Sequence, residues 1–304
     1  MTSVPAAGHP APPDHPELPA GVAPAGDAWP PAWPGWSAPA ALLAGFAGAL
    51  VVGLVISLVG LILGAKSGST PAAVSILSVI GQDACLVGAA LLFARMSGAP
   101  RPWQFGLRPT SFWRALGYVV AGYLIFIVAS YVWLQLIGQT NTKDTITQDL
   151  GAGGSTIALI AVTFVVTVCA PLAEEFFFRG YFFGALRSMG LWPAVVMTGF
   201  TFGLVHVFGS PIAFIVPLAL LGMGLCLLRE YTGSLYPGIV LHCVNNAMAM
   251  SSSQHWSWQI PLVLVGSLAA IALIIRVGLN VWNAVDAARP PAPPPAPAPV
   301  APTA

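Results

Sequence analysis

Ala170-Pro171-Leu172-Ala173-Glu174-Glu175-Phe176-Phe177-Phe178-Arg179 is the stretch that decides how this chain folds. It lies inside an apolar run from about residue 155 to 187, long enough at ~1.5 Å per residue to cross a bilayer as a helix. Two carboxylates and a guanidinium therefore stand where lipid-facing residues are expected. On insertion scales each costs about 2.5–3.5 kcal/mol at mid-membrane, so such groups persist where they line a cavity, pair with one another or do chemistry. Downstream, Phe202-Gly203-Leu204-Val205-His206 and His242-Cys243-Val244-Asn245-Asn246 put histidine and asparagine into two further apolar runs. Glu, His, His and Asn in three hydrophobic segments suggest one intramembrane site.

The composition agrees. With 57% hydrophobic and 7% charged residues, against about 25% charged in a soluble domain, the chain reads as a polytopic all-α membrane bundle. Apolar runs of sufficient length predict about eight transmembrane helices, at 40–64, 74–94, 112–138, 155–187, 191–208, 211–228, 235–251 and 259–283. A net charge of +1 gives no reason to expect nucleic acid as a partner. Cys85, Cys169, Cys226 and Cys243 fall in apolar runs at no metal-finger spacing and read as small buried hydrophobes. Residues 1–39 and 289–304, rich in Pro and Ala, are expected to be disordered tails around a membrane domain over 40–288. The first tail lacks the basic region of a signal peptide. Trp29, Trp33 and Trp36 are expected at the membrane interface.

Charge asymmetry predicts the orientation. Arg95, Arg101, Arg108, Arg114, Arg187, Arg229 and Arg289 fall on one side of the eight-helix scheme, and Lys66 and Lys143 on the other. Seven against two places both termini in the cytoplasm by the positive-inside rule. Glu174 and His206 each lie 16 residues from Gly190, so antiparallel helices put both ~24 Å from that turn. His242 and Asn246, at i,i+4 on one helix face, come out ~10 and ~16 Å from the start of theirs. Pro171, one turn before the glutamates, removes a backbone N–H and is tolerated in a membrane helix facing a cavity.

The order of these motifs on successive membrane helices is informative. Glu-Glu-x-x-x-Arg at 174–179, Phe-x-x-x-His at 202–206 and His-x-x-x-Asn at 242–246 resemble the motif set of the CPBP family of intramembrane proteases. That family includes the type II CAAX prenyl proteases and bacteriocin-resistance relatives. The core of the resemblance covers about 155–251, and Phe105-Gly106-Leu107-Arg108 is similar to a less specific family feature. The resemblance implies an endopeptidase with Glu174 as catalytic carboxylate and His206 beside it to activate water. It leaves His242 and Asn246 as candidate oxyanion donors, with Glu175 and Arg179 a supporting ion pair at i,i+4.

A second chemistry uses the same residues. His206, His242 and Glu174 supply two imidazoles and a carboxylate, the ligand set of a catalytic divalent metal such as zinc. No HExxH helix decides between metal and metal-free hydrolysis. Gln82-Asp83, also within a span, matches no family motif and is expected to make structural hydrogen bonds or to meet an arginine. Two non-protease readings remain, a proton-coupled transporter and a non-catalytic immunity or scaffold protein; no internal repeat supports the former. The partners implied are the lipid bilayer and a membrane-anchored peptide or protein cut at a site opening towards the cytoplasm, with a bacterial plasma membrane as the setting.

Overall fold

The computed structural model describes residues 33–64, 71–142 and 145–288, and the expected disordered tails lie for the most part outside them. Eight long helices form, and the described residues contain no strand. They are α1 (Ser37–Ile62), α2 (Ala72–Met96), α3 (Phe112–Leu136), α4 (Thr156–Met189), α5 (Leu191–Val205), α6 (Ile215–Thr232), α7 (Tyr236–Ser253) and α8 (Gln259–Ala287). Seven of these regions are long and apolar enough to cross a membrane, α5 and α6 together with their flanking turns. The eighth, α7, is a helix of 18 residues whose His242, Asn245, Asn246 and serines make it too polar to qualify. It lies inside the bundle, with His242 and Cys243 buried against neighbouring helices.

Because the helices alternate in direction, the bundle has two poles. One gathers the start of α1, the 97–111 connection, the α4–α5 turn at Gly190 and the α6–α7 turn. The other gathers the 137–155 connection and the turns that follow α5 and α7. The first pole is sealed. The Leu235 N–H donates to the Gly106 carbonyl at 2.8 Å, Ser234 Oγ to the Arg108 carbonyl at 2.6 Å and Thr110 Oγ1 to the Thr232 carbonyl at 3.0 Å. Arg108 Nε donates to the Gly233 carbonyl, and partial burial pulls this guanidinium below its ordinary pKa. Gly106 holds φ +88°, a left-handed turn that a β-carbon would strain.

Trp33 closes the same pole rather than resting at the interface. Its ring lies 4.9 Å from Phe105 and 5.0 Å from Tyr181, and it is buried. Tyr181 Oη in turn donates to Ser37 Oγ at 2.7 Å, tying the start of α1 to α4. Trp36, by contrast, is exposed as expected of an interfacial ring.

Helices α5 and α6 meet along a seam of small residues. A β-carbon at Gly203 would lie 2.6 Å from the Ile215 carbonyl oxygen, and one at Gly199 2.8 Å from that of Ala219. Across the seam Gly222 faces Gly199 with the same lack of room. This is the Gly-x-x-x-Gly logic of membrane helix packing, where backbones approach because no side chains intervene.

Candidate active site

The site is built on an irregular α4. The helix widens to π geometry at Val165–Cys169, returns to α over Ala170–Glu174 and widens again over Glu175–Phe182. Such bulges insert an extra residue into a turn and commonly accompany functional sites. Pro171 contributes directly. In the first widened turn the Ala170 N–H donates to the Val165 carbonyl five residues back, and the next donor in that register would be residue 171. Proline has none. The Val166 carbonyl thereby freed accepts from Asn246 Nδ2 at 2.9 Å, which ties α7 to α4. Asn245 Nδ2 donates to Asn246 Oδ1 at 3.3 Å and fixes the orientation of the amide.

This arrangement makes a stability prediction. Pro171→Ala supplies the missing N–H and a better helix former, so the thermal midpoint should rise, by about 1–3 kcal/mol of stability. Asn246→Ala should cost about 1–3 kcal/mol in the unmodified protein, where it strands a carbonyl, and much less when combined with Pro171→Ala. Equal losses in both backgrounds, measured by thermal unfolding in detergent, would refute the link.

The sequence-predicted residues come together around Glu174 and Glu175. Glu175 Oε1 accepts from Arg179 Nη1 at 2.8 Å and from His242 Nδ1 at 3.0 Å, with the Glu175 and Arg179 side chains wholly buried. Arg179 also donates from Nη2 to the Gly222 carbonyl at 3.2 Å, and its guanidinium carbon stands 4.1 Å from the Phe202 ring centroid. Gly238 lets α7 close over this carboxylate, since a β-carbon there would lie 2.9 Å from Glu175 Oε2.

Glu174 points to the other side. Its Oε2 stands 3.8 Å from His242 Nε2 and 4.0 Å from His206 Nε2, beyond direct hydrogen bonding, and has no hydrogen-bond partner in the protein. The His206 ring is oriented by its Nδ1, 2.7 Å from the Phe202 carbonyl. A carbonyl only accepts, so Nδ1 carries a proton, and in the neutral form of the ring this leaves Nε2 as the acceptor that faces Glu174. The same argument applies to His242, whose Nδ1 faces the carboxylate of Glu175. Three acceptors thus converge: one carboxylate oxygen and two imidazole nitrogens.

The metal reading can be tested on this geometry. Imidazoles whose second nitrogen donates to a carbonyl or a carboxylate are chemically suited to ligation. The spacing is not. Separations of 3.8 and 4.0 Å exceed the roughly 3.4 Å edge that 2.0–2.1 Å bonds give a tetrahedral site. Among the described residues no group of three His, Cys, Asp or Glu side chains is arranged to hold a metal ion.

A cavity of about 630 Å³ leads to Glu174, His206, His242 and Asn246. It extends to the pole of the 137–155 connection, where residues of Thr145–Leu150 and Val207–Pro211 line it. Helix α5 is short, its 15 residues spanning only ~22 Å before the chain turns at His206–Phe208, which lines the cavity. The orientation expected from charge asymmetry would put this pole outside, so the expected cytoplasmic opening and the expected orientation are incompatible. The ~10 Å depth expected for His242 also needs correction. Leu235, where α7 begins, is buried beneath Gly106 rather than at the surface, which carries His242 down to the level of Glu174.

Asp83 lines the same cavity, and its expected structural partner is not found. The residue is 6% exposed, and neither carboxylate oxygen has a hydrogen-bond partner. A buried carboxyl without a donor destabilises the fold. Asp83→Ala, which removes the unpartnered polar atoms, should therefore leave yield intact and raise the thermal midpoint by about 1–3 kcal/mol of stability; a lowered midpoint would mean that the carboxylate has a stabilising partner.

The comparisons with known proteins fall on the segment that carries this geometry. Residues 156–248 match the family model for type II CAAX prenyl endopeptidase, Rce1-like. The match covers under a third of the chain. The Rce1-like region contains Glu174, Glu175, Arg179, His206, His242 and Asn246, and with the seven apolar helices it marks an integral membrane protein. A curated relative, UPF0177 protein YbdI of Lactococcus lactis subsp. lactis (strain IL1403), is 29% identical over 94 residues, 30% of this chain and 49% of the relative. The chain thus spans about half the length of that relative. No solved structure matches this chain. Sequence reasoning did not find the Val166 carbonyl or the unpartnered state of Asp83; Pro171 and the intramembrane Gln82-Asp83 pair were the available signals.

Proposed function

We propose that the protein is a membrane-embedded endopeptidase that hydrolyses a peptide bond in a membrane-associated substrate by carboxylate-activated water. The observation that carries this is the convergence of Glu174 Oε2 with His206 Nε2 and His242 Nε2 at the end of a cavity, within the Rce1-like segment. Polar groups 3.8–4.0 Å apart are spaced to share a water molecule. Such a water gives one proton to Glu174 and a hydrogen bond to an imidazole, leaving an oxygen lone pair for the scissile carbonyl.

The tetrahedral oxyanion that follows needs donors. Asn246 has one N–H committed to the Val166 carbonyl and a second for the substrate. His242 donates a hydrogen bond from Nδ1 to Glu175, so its Nε2 donates once it has received a proton, and Glu174 is 3.8 Å away to pass on the one taken from water. The departing amine then takes that proton, and the carboxylate is restored. Glu175 and Arg179 hold His242 and take no part in bond breaking. The protein lies in a bacterial plasma membrane with both termini cytoplasmic, supported by the arginine-rich pole at which α1 begins and α8 ends.

The test is to compare protein N-termini in membranes from cells with the unmodified protein and with Glu174→Gln. New N-termini should depend on Glu174. Activity of the purified protein should survive chelators and show no dependence on added divalent ion. Stoichiometric metal in active enzyme, absent from a folded His206→Ala/His242→Ala variant, would replace this mechanism with a metal one.

A further inference from the structure

We infer that the cavity opens on the non-cytoplasmic face of the membrane and takes a peptide segment exposed there, not the prenylated C-terminus of a cytosolic protein. The inference rests on the proteolytic reading above and names the side and class of its substrate.

Two features of the bundle combine to give this. The first is charge. Arg95, Arg101, Arg108, Arg114, Arg187 and Arg229 stand at the pole formed by the 97–111, α4–α5 and α6–α7 connections, and among the described residues the connections of the opposite pole carry no arginine or lysine; Lys66 and Lys143 lie outside the described residues, between α1 and α2 and between α3 and α4 in the sequence. Arginine and lysine in short connections are retained on the cytoplasmic side. The second is access. The arginine pole is closed by Trp33, by wholly buried Phe105 and by the hydrogen bonds from Thr110, Ser234 and Leu235 that clamp the 97–111 connection onto the α6–α7 turn. The cavity that reaches Glu174 opens at the other end, where the mouth is lined by Thr145, Thr147 and Asp149, with Ser210 and Ser253 beside them.

The substrate class follows. A peptide must enter extended to present its backbone to Glu174 and His206, passing a mouth lined by polar side chains. A prenyl group is attached in the cytosol, and its peptide would have to cross the bilayer core to reach this mouth. A polypeptide anchored in the membrane, with an unfolded stretch on the outer face, reaches it directly.

The test pairs topology with cleavage. Asn141→Cys and Ser97→Cys, both at exposed positions, are treated in intact bacteria with a membrane-impermeant maleimide, the unmodified protein giving the background from its own cysteines. Cleavage is read on a single-span reporter carrying an unstructured peptide, selected from a random library as cut by the purified protein, on either its outer or its inner side. Labelling of Asn141→Cys alone, with Glu174-dependent cleavage of the outward-facing reporter alone, is the expected result. Labelling of Ser97→Cys alone overturns the inference, as does cleavage of the inward-facing reporter. If Asn141→Cys labels and the purified protein cuts no peptide in the library, the outward opening stands and the proteolytic reading falls with its substrate.

Discussion

Arg179→Ala is expected to cost about 3–5 kcal/mol, the penalty for removing one partner of a buried ion pair. The guanidinium holds Glu175 at 2.8 Å, donates to the Gly222 carbonyl and covers the Phe202 ring, so its loss strands a wholly buried carboxylate and loosens α4 from α5 and α6 together. The readouts are yield of folded protein and thermal midpoint in detergent. Arg179→Lys should rescue little, because an ammonium cannot serve a carboxylate, a carbonyl and a ring face at once. A midpoint within about 1 kcal/mol of the unmodified protein would show that the pair is not a structural support.

Glu174→Gln should act in the opposite manner. It preserves shape and replaces a carboxylate whose Oε2 is buried without a hydrogen-bond partner, so stability should be unchanged or higher. Turnover should fall by about 10³-fold or more, the scale of a lost general base together with the proton it passes on. Glu175→Gln, by contrast, should lower stability first. Near-normal cleavage by folded Glu174→Gln would remove this residue from the chemistry. The two adjacent glutamates thus separate experimentally into one that works on substrate and one that holds the protein together.

Much of this was legible in the sequence, because membrane helices follow from apolar run length and an ionisable group in such a run demands a reason. Glu174, Glu175, Arg179, His206, His242 and Asn246 could be named before any coordinates, and the bundle brings all six into one region. What escaped depends on backbone detail or on distant packing. The two π turns of α4 leave no periodic trace in a helix that is apolar on most faces, so the pairing of Asn246 with the Val166 carbonyl was invisible. Trp33 sits beside a Pro-rich tail, and only tertiary structure shows it sealing a pole. Depth arithmetic assumed that every helix starts at the membrane surface; α7 does not. Nor could a hydropathy pattern tell which end of the bundle the cavity would reach, since that depends on how the helices pack.

The glycine seam between α5 and α6 has a mechanical consequence. With Gly199, Gly203 and Gly222 in near contact, the two helices have no side-chain layer to slide on, and they move as one beam. His206, at the end of α5, is therefore a fixed anvil rather than a swinging arm. Compliance for substrates of different bulk has to come from the opposite wall, where Thr145–Leu150 and the cavity-facing side of α2 frame the entrance. Grafting selectivity for a new peptide onto this scaffold should begin on that wall, because reshaping the beam would misalign the histidine.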